Sequence, residues 1–220
     1  MNRILALAAV AVIGAFGVFL WTNSQPQAPG ISLGSVNAQT AEDVDTSAVI
    51  DMTMGNPDAS VTVIEYASFT CPHCRTFHEG SFKDLKADYI DTGKINFVYR
   101  EVYFDQPGLW AGMLARCGGE DRYFGIVDLI YQNQSNWVAG DPATIANNLR
   151  RLGLTAGLSE DQINSCLQDA DMAQAMVAAY QQNATRDGVR STPSFMINGR
   201  LHSNMPYGEF SALIDEALGS

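Results

Sequence analysis

The sequence predicts an α/β fold interrupted by an inserted all-helical subdomain, and three observations carry that expectation. A short β-branched run, Val61-Thr-Val-Ile-Glu-Tyr66, precedes a segment with helical apolar spacing and a second strand-like run, Ile95-Asn-Phe-Val-Tyr99. Strand, helix, strand is a βαβ unit. From Gln106 to Asp187 strand signals give way to Ala-, Gln- and Asn-rich segments with helical periodicity. Strand signals return at Ser194-Phe-Met-Ile197.

The chain begins with Asn2-Arg3 and an uncharged, proline-free run of eighteen residues from Ile4 to Trp21. A run of this length serves either as a cleaved signal peptide or as an N-terminal membrane anchor, so residues 1–21 read as an export segment of one kind or the other. Arg3 is the only positive charge before Arg75, which keeps the amino end inside and sends the rest across. The expected destination is the periplasm or another extracytoplasmic space. Residues 22–46, rich in Ser, Gln, Pro, Gly, Asn and Ala, read as a flexible tether. What remains, residues 47–220, is long enough for one domain with a sizeable core. A formal charge of −11 argues against nucleic acid as a partner.

Within that domain, Phe77, Phe82, Leu85 and Tyr89 predict one helix over Arg75 to Ile90, closed by the turn Asp91-Thr-Gly93. The helical insertion, about residues 106–188, is expected to hold three or four helices. Asp141-Pro142 is an N-cap followed by proline at the first helical position, Ser159 to Gln162 fits a capping box, and Gly140, Gly153 and Gly157 read as stops. Asn198-Gly199 predicts a hairpin turn after Ile197, with the second strand reaching about His202. An amphipathic helix, Tyr207 to Leu218, closes the chain.

Chemistry concentrates at Cys71-Pro72-His73-Cys74, where the first strand hands over to the helix. Two thiols one helical turn apart can join as a disulfide. Free N–H groups and the macrodipole at a helix start stabilise an anion, which favours a thiolate at Cys71. Pro72 suits the first helical position, and His73 can offer the Cys71 sulfur a hydrogen bond or a positive charge. A stabilised thiolate makes the corresponding disulfide a strong oxidant, so Pro-His between the cysteines points to donating disulfides more than to reducing them. Other uses of the pair fit less well. Zinc needs a second ligand pair at matching spacing, and haem attachment needs histidine where Arg75 stands. His78, one turn beyond Cys74, could complete a copper site with the two sulfurs, against the plainer reading of a lone exposed histidine. No metal and no cofactor are expected.

The order strand, Cys-Pro-His-Cys, helix, strand, helical block and Ser191-Thr-Pro-Ser-Phe-Met-Ile-Asn-Gly199 resembles the DsbA family of thioredoxin-fold disulfide oxidoreductases over roughly Val49 to Leu218. The resemblance implies that Cys71 is the exposed nucleophile and Cys74 the buried resolving sulfur. It implies a cis peptide at Thr192-Pro193 beside the disulfide, with the Thr192 backbone pairing with substrate. It also places Glu65, six residues before Cys71, as a buried acid that moves protons or tunes Cys74; a partly exposed strand residue is the alternative. Thr192 departs from the valine of the best-known oxidases and matches several isomerases. Cys117 continues the stripe Trp110, Met113 and Leu114, and Cys166 sits with Ile163 and Leu167, so both are expected inside the helical block, joined as a structural disulfide.

The resulting expectation is an exported oxidase that passes its disulfide to reduced or unfolded exported proteins. Resemblance adds reoxidation by a DsbB-type membrane protein. Family isomerases are dimers built on an extra N-terminal domain, for which residues 22–46 leave no room, so a monomer is expected.

Overall fold

Strands β1 (Met52–Gly55), β2 (Val61–Ala67), β3 (Ile95–Glu101), β4 (Ser194–Ile197) and β5 (Arg200–Ser203) form one sheet in the order β1-β3-β2-β4-β5. The computed structural model describes residues 41–219. β2 and β3 run parallel, as a helical crossover requires, and the other pairings are antiparallel. The two central strands read as near-continuous apolar runs because elements cover both faces: Val61, Val63, Ile95, Phe97 and Tyr99 are all fully buried. This is the thioredoxin-fold sheet that the sequence predicts, with one strand that sequence reading missed. β1, Met-Thr-Met-Gly, lacks a β-branched run, and its strand character comes from pairing Met52 with Tyr99 on β3.

The helix expected over Arg75 to Ile90 is broken. It divides into α1 (Pro72–Glu79), α2 (Ser81–Leu85) and a π-helical turn, Lys86–Ile90, because Gly80 takes φ −121° and ψ −100°, outside the helical region. Phe77 and Phe82 stay in contact across the break, ring centroids 6.1 Å apart, so the apolar face survives the change of direction.

Six helices, rather than three or four, fill the insertion: α3 (Gln106–Cys117), α4 (Glu120–Gln132), α5 (Gln134–Trp137), α6 (Pro142–Thr155), α7 (Glu160–Leu167) and α8 (Ala170–Arg186). Breaks at Gly118-Gly119 and Asn133 account for part of the excess, and Gly119 takes a φ of +67° that favours glycine. Asp105, Asp141, Ser159 and Asp169 each cap a helix by accepting the N–H three residues on. Gly153 does not stop a helix. It lies inside α6, where an added Cβ would come within 2.8 Å of both Leu114 and Ile163, so its bareness lets α6 approach α3 and α7.

An ion pair ties the insertion to the sheet. Arg116 donates to both Glu101 oxygens at 2.7 Å, and the Tyr123 hydroxyl donates to Glu101 Oε1 at 2.8 Å. Asn198, with φ 44°, and Gly199 turn β4 into β5, and Asn198 Oδ1 accepts the Thr62 N–H at 2.9 Å. The last helix, α9 (Tyr207–Leu218), ends at Gly219 in the left-handed region.

Residues 1–40, including the apolar run and most of the tether, lie outside the described residues. The tether's final residues depart from the flexible expectation. Ala41–Asp43 form a 3-10 turn, and Gln182 of α8 donates to the Ala41 carbonyl at 2.7 Å. Among the described residues no helix is long and apolar enough to cross a membrane.

Cys117 and Cys166 are joined as a disulfide, S–S 2.10 Å, linking the end of α3 to α7 across 49 residues of sequence. Both are half-buried rather than interior, because each sits at the margin of its helix's apolar stripe. Replacing both with Ala is expected to destabilise the protein by up to about 4 kcal/mol, the loop-closure value for this length. Urea unfolding under oxidising conditions checks this, and an unchanged midpoint would remove the disulfide from the stability of the fold.

Candidate active site

Cys71 is the N-cap of α1, with φ −79° and ψ 119°, and Pro72 follows at the first helical position. Proline lacks an N–H, so the free donors of the first turn begin with His73 and Cys74. Both favour a thiolate at Cys71. From His73 it is the backbone N–H that acts on the sulfur; its imidazole is exposed. Cys71 is half-buried, Cys74 is fully buried, and both thiols are free.

The two sulfurs are driven in opposite directions. Cys71 is lowered to about 5, chiefly by the hydrogen bond from the Cys74 thiol, with further help from the Thr192 side chain and the two backbone N–H groups; burial opposes them. Cys74 is pushed far above the ordinary thiol range, first by burial, then by its hydrogen bond to Cys71 and by the charge of Glu65. As a thiol, Cys71 donates to the Thr192 carbonyl at 3.5 Å. The Thr192-Pro193 peptide is cis, and Ser194 Oγ donates to the Ser191 carbonyl at 2.7 Å, fixing the turn that presents Thr192.

Glu65 lies on β2 with no exposure, which removes the partly exposed alternative. Its carboxylate oxygens lie 3.1 and 3.0 Å from His78 Nε2 on α1. His78 is therefore not the lone exposed histidine of the sequence reading. It is buried because α1 lays this face on the sheet, where the ring stacks on Tyr131 at 4.4 Å. With Nε2 committed to Glu65, among the described residues no group of three or more His, Cys, Asp or Glu side chains is placed to hold a metal ion.

The structure also shows residues that sequence reading missed. Gln134, from the four-residue α5, is buried and donates to the carbonyls of Phe69 at 2.7 Å and Cys71 at 3.0 Å. Tyr131 donates to the Ser68 carbonyl at 3.2 Å, and the Thr70 hydroxyl donates to Asp105 at 2.8 Å. Together they hold the Ser68–Cys71 loop from the helical side. Asp105 had a local signal, an acid just before Gln-Pro at a helix start. A buried Gln in so short a helix has none.

The family profile described as thioredoxin matches residues 47–216. The chain belongs to the thioredoxin family. Within that family its likeness is to DsbA-type proteins. It superposes on Wolbachia pipientis alpha-DsbA1 with TM-score 0.70 and 28% identity, covering 77% of this chain and 91% of that one. A Rickettsia bellii protein carrying the provisional name protein-disulfide oxidoreductase is 35% identical over 173 residues, which are 76% of this chain and 64% of that protein. The chain thus spans under two thirds of the rickettsial relative's length. Disulfide bond formation protein D of Bacillus subtilis is 25% identical over 182 residues, 75% of this chain and 76% of that protein.

Alkylation of the reduced protein by iodoacetamide is expected to fall on Cys71, with a rate that rises through a midpoint near pH 5. Label mainly on Cys74, or a midpoint near the ordinary 9.0, would overturn this division of roles. Stability follows the same sign. A thiolate favoured by folding stabilises the reduced protein fully above the unfolded thiol range and loses that contribution as pH falls towards about 5. Urea midpoints of the reduced protein should therefore rise with pH between these limits, where those of the oxidised protein, which has no Cys71 thiol, lack this contribution.

Proposed function

We propose that this chain is an exported thiol:disulfide oxidoreductase that donates the Cys71–Cys74 disulfide to reduced exported proteins. The observation that carries the reading is the asymmetry of the two thiols. A thiolate at Cys71 is stable near neutral pH, so the reduced form is favoured and the disulfide is readily given away. A substrate thiolate attacks Cys71 Sγ, the electron pair of the broken S–S bond passes to Cys74 Sγ, and a mixed disulfide forms. A second substrate thiol then attacks the substrate sulfur and releases Cys71 as its stable thiolate. Thr192, whose carbonyl faces the Cys71 sulfur beside the cis peptide, binds an extended substrate segment through its backbone.

The apolar run from Ile4 to Trp21 supports export to an oxidising compartment, with the domain of residues 47–220 acting as a monomer outside the cytoplasm. A DsbB-type membrane protein is the proposed reoxidant. The name of the rickettsial relative supports thiol-disulfide chemistry, and that of the Bacillus relative supports disulfide formation as its direction.

Thr192 favours a second reading, isomerase, through the resemblance noted above. Reduced, unfolded ribonuclease separates the two. The oxidised protein is expected to introduce disulfides into it in a stoichiometric burst and to recover little activity from scrambled ribonuclease. Efficient rescue of the scrambled substrate would make Thr192 the better guide, and failure with both substrates would remove the oxidoreductase reading.

A further inference from the structure

The Thr192 backbone, proposed above to pair with substrate, sits in the loop between α8 and β4. Gly188, Arg190 and Ser191 are exposed, and Gly188 takes a φ of +70° that favours glycine. Such a stretch keeps one conformation only if its ends are fixed, because ordering it loses backbone entropy. Both ends are fixed to the same residue, Tyr66 of β2. The end after Pro193 is held by strand pairing, with Ser194 opposite Tyr66. The end at the close of α8 is held by a side chain, since the Tyr66 hydroxyl donates to the Asp187 carboxylate. Between them Val189, partly buried, packs against the small cluster of Tyr66, Val102 and Met196.

Tyr66 is fully buried and does not follow a moving loop. Its hydroxyl is itself held, accepting from Arg100 of β3 at 2.9 Å, and Arg100 also donates to Asp187 at 3.2 Å. Arg100 is fixed in turn by two bonds to Asp51, at 2.9 and 2.7 Å. The Asp187 side chain is only 11% exposed, so these charge-assisted bonds are less screened than a surface pair. Arg186 bonds Asp187 as well, at 2.7 and 2.9 Å, but it is the last residue of α8 and ties the carboxylate to its own helix. The ties to the sheet are Tyr66 and Arg100.

We propose that Asp187 is a positioning residue that fixes the Thr192 loop to the sheet, so that the Thr192 backbone meets an extended substrate in register with Cys71. The inference deepens the oxidoreductase reading above and rests on it. Cys71 follows β2, the strand that carries Tyr66, and its sulfur lies 3.5 Å from the Thr192 carbonyl. Tyr66 thus sets both halves of the site. Through its own strand it places the nucleophile, and through Asp187 and Ser194 it places the edge to which the substrate backbone binds. A substrate cysteine held by its flanking backbone reaches Cys71 only if that backbone is bound at the matching height, so a displaced loop weakens extended substrates selectively. A small thiol that touches the sulfur alone has no need of the loop.

Single-turnover reduction of the oxidised protein tests this, with a flexible two-cysteine peptide and dithiothreitol as the two probes and intact mass after an alkylating quench as the readout. Asp187→Ala is expected to raise the half-saturating peptide concentration about tenfold, with the dithiothreitol rate unchanged. Arg100 keeps Asp51 and Tyr66 in this variant, so its charge is not left unpaired. Tyr66→Phe keeps the ring and should show a smaller rise, because Arg100 still reaches Asp187; added to Asp187→Ala it should do nothing further. Asp51→Asn takes a partner from the same arginine without touching the loop, and serves as the control for lost stability. Wild-type half-saturation in Asp187→Ala, an equal slowing with dithiothreitol, additive effects of Tyr66→Phe, or the same rise in Asp51→Asn overturns the inference. A crystal structure of the reduced Asp187→Ala protein reads the loop independently of any reaction. Thr192 should leave its 3.5 Å contact with Cys71, and an unmoved loop overturns the inference. Wild-type protein that oxidises neither probe would instead defeat the oxidoreductase reading, and the position of Thr192 in the crystal would still decide whether Asp187 holds the loop.

Discussion

Cys71 and Cys74 share one turn of helix but meet two different media. The first sits at the helix start, half-buried, where backbone N–H groups and a neighbouring thiol hold negative charge; the second is sealed against the sheet beside a carboxylate. Much else in the structure serves to keep that difference. A helix that began one residue later would bring Cys71 out of the N-cap, and a Glu65 turned to the opposite face of β2 would remove the charge that opposes the Cys74 thiolate. A favoured thiolate on one side and an opposed one on the other make the two sulfurs chemically distinct.

The sheet alone does not hold the site. The loop from Ser68 to Cys71 leaves β2 with carbonyls that need donors, and those donors come from the helical insertion, as Tyr131 and Gln134. Asp105 closes the arrangement, since one carboxylate both caps α3 and accepts the Thr70 hydroxyl. The insertion thus works as a clamp on the reactive loop. An unpaired buried carbonyl costs about 1–3 kcal/mol, so losing Gln134 would loosen the loop as well as destabilise the fold.

Local chemistry made much of this legible. The Cys71-Pro72-His73-Cys74 junction, the caps at Asp141 and Ser159, the Asn198-Gly199 turn and the helix from Tyr207 to Leu218 each carry their cause within a few residues. What escaped depends on partners far away in sequence. β1 is a strand because β3 lies beside it, Gly153 is bare because three helices meet there, and Gly80 breaks a pattern whose apolar spacing alone runs straight through. His78 and Gln134 show the same limit at the site. Polar side chains are read as exposed unless something announces a buried partner, and theirs, Glu65 and the Phe69 carbonyl, lie 13 and 65 residues away.

Those separations also set a sequence of events as the chain is made from its amino end. The redox motif emerges with its cysteines close together but without the surroundings that distinguish them. Gln134 arrives 63 residues after Cys71, and Thr192 comes 121 residues after it. Until then the Cys71 sulfur has only the donors of its own helical turn, without the Thr192 contribution that adds to them. The finished surroundings of Cys71 exist only once the last part of the chain folds back, so maturation itself delays the moment at which the two sulfurs differ in full.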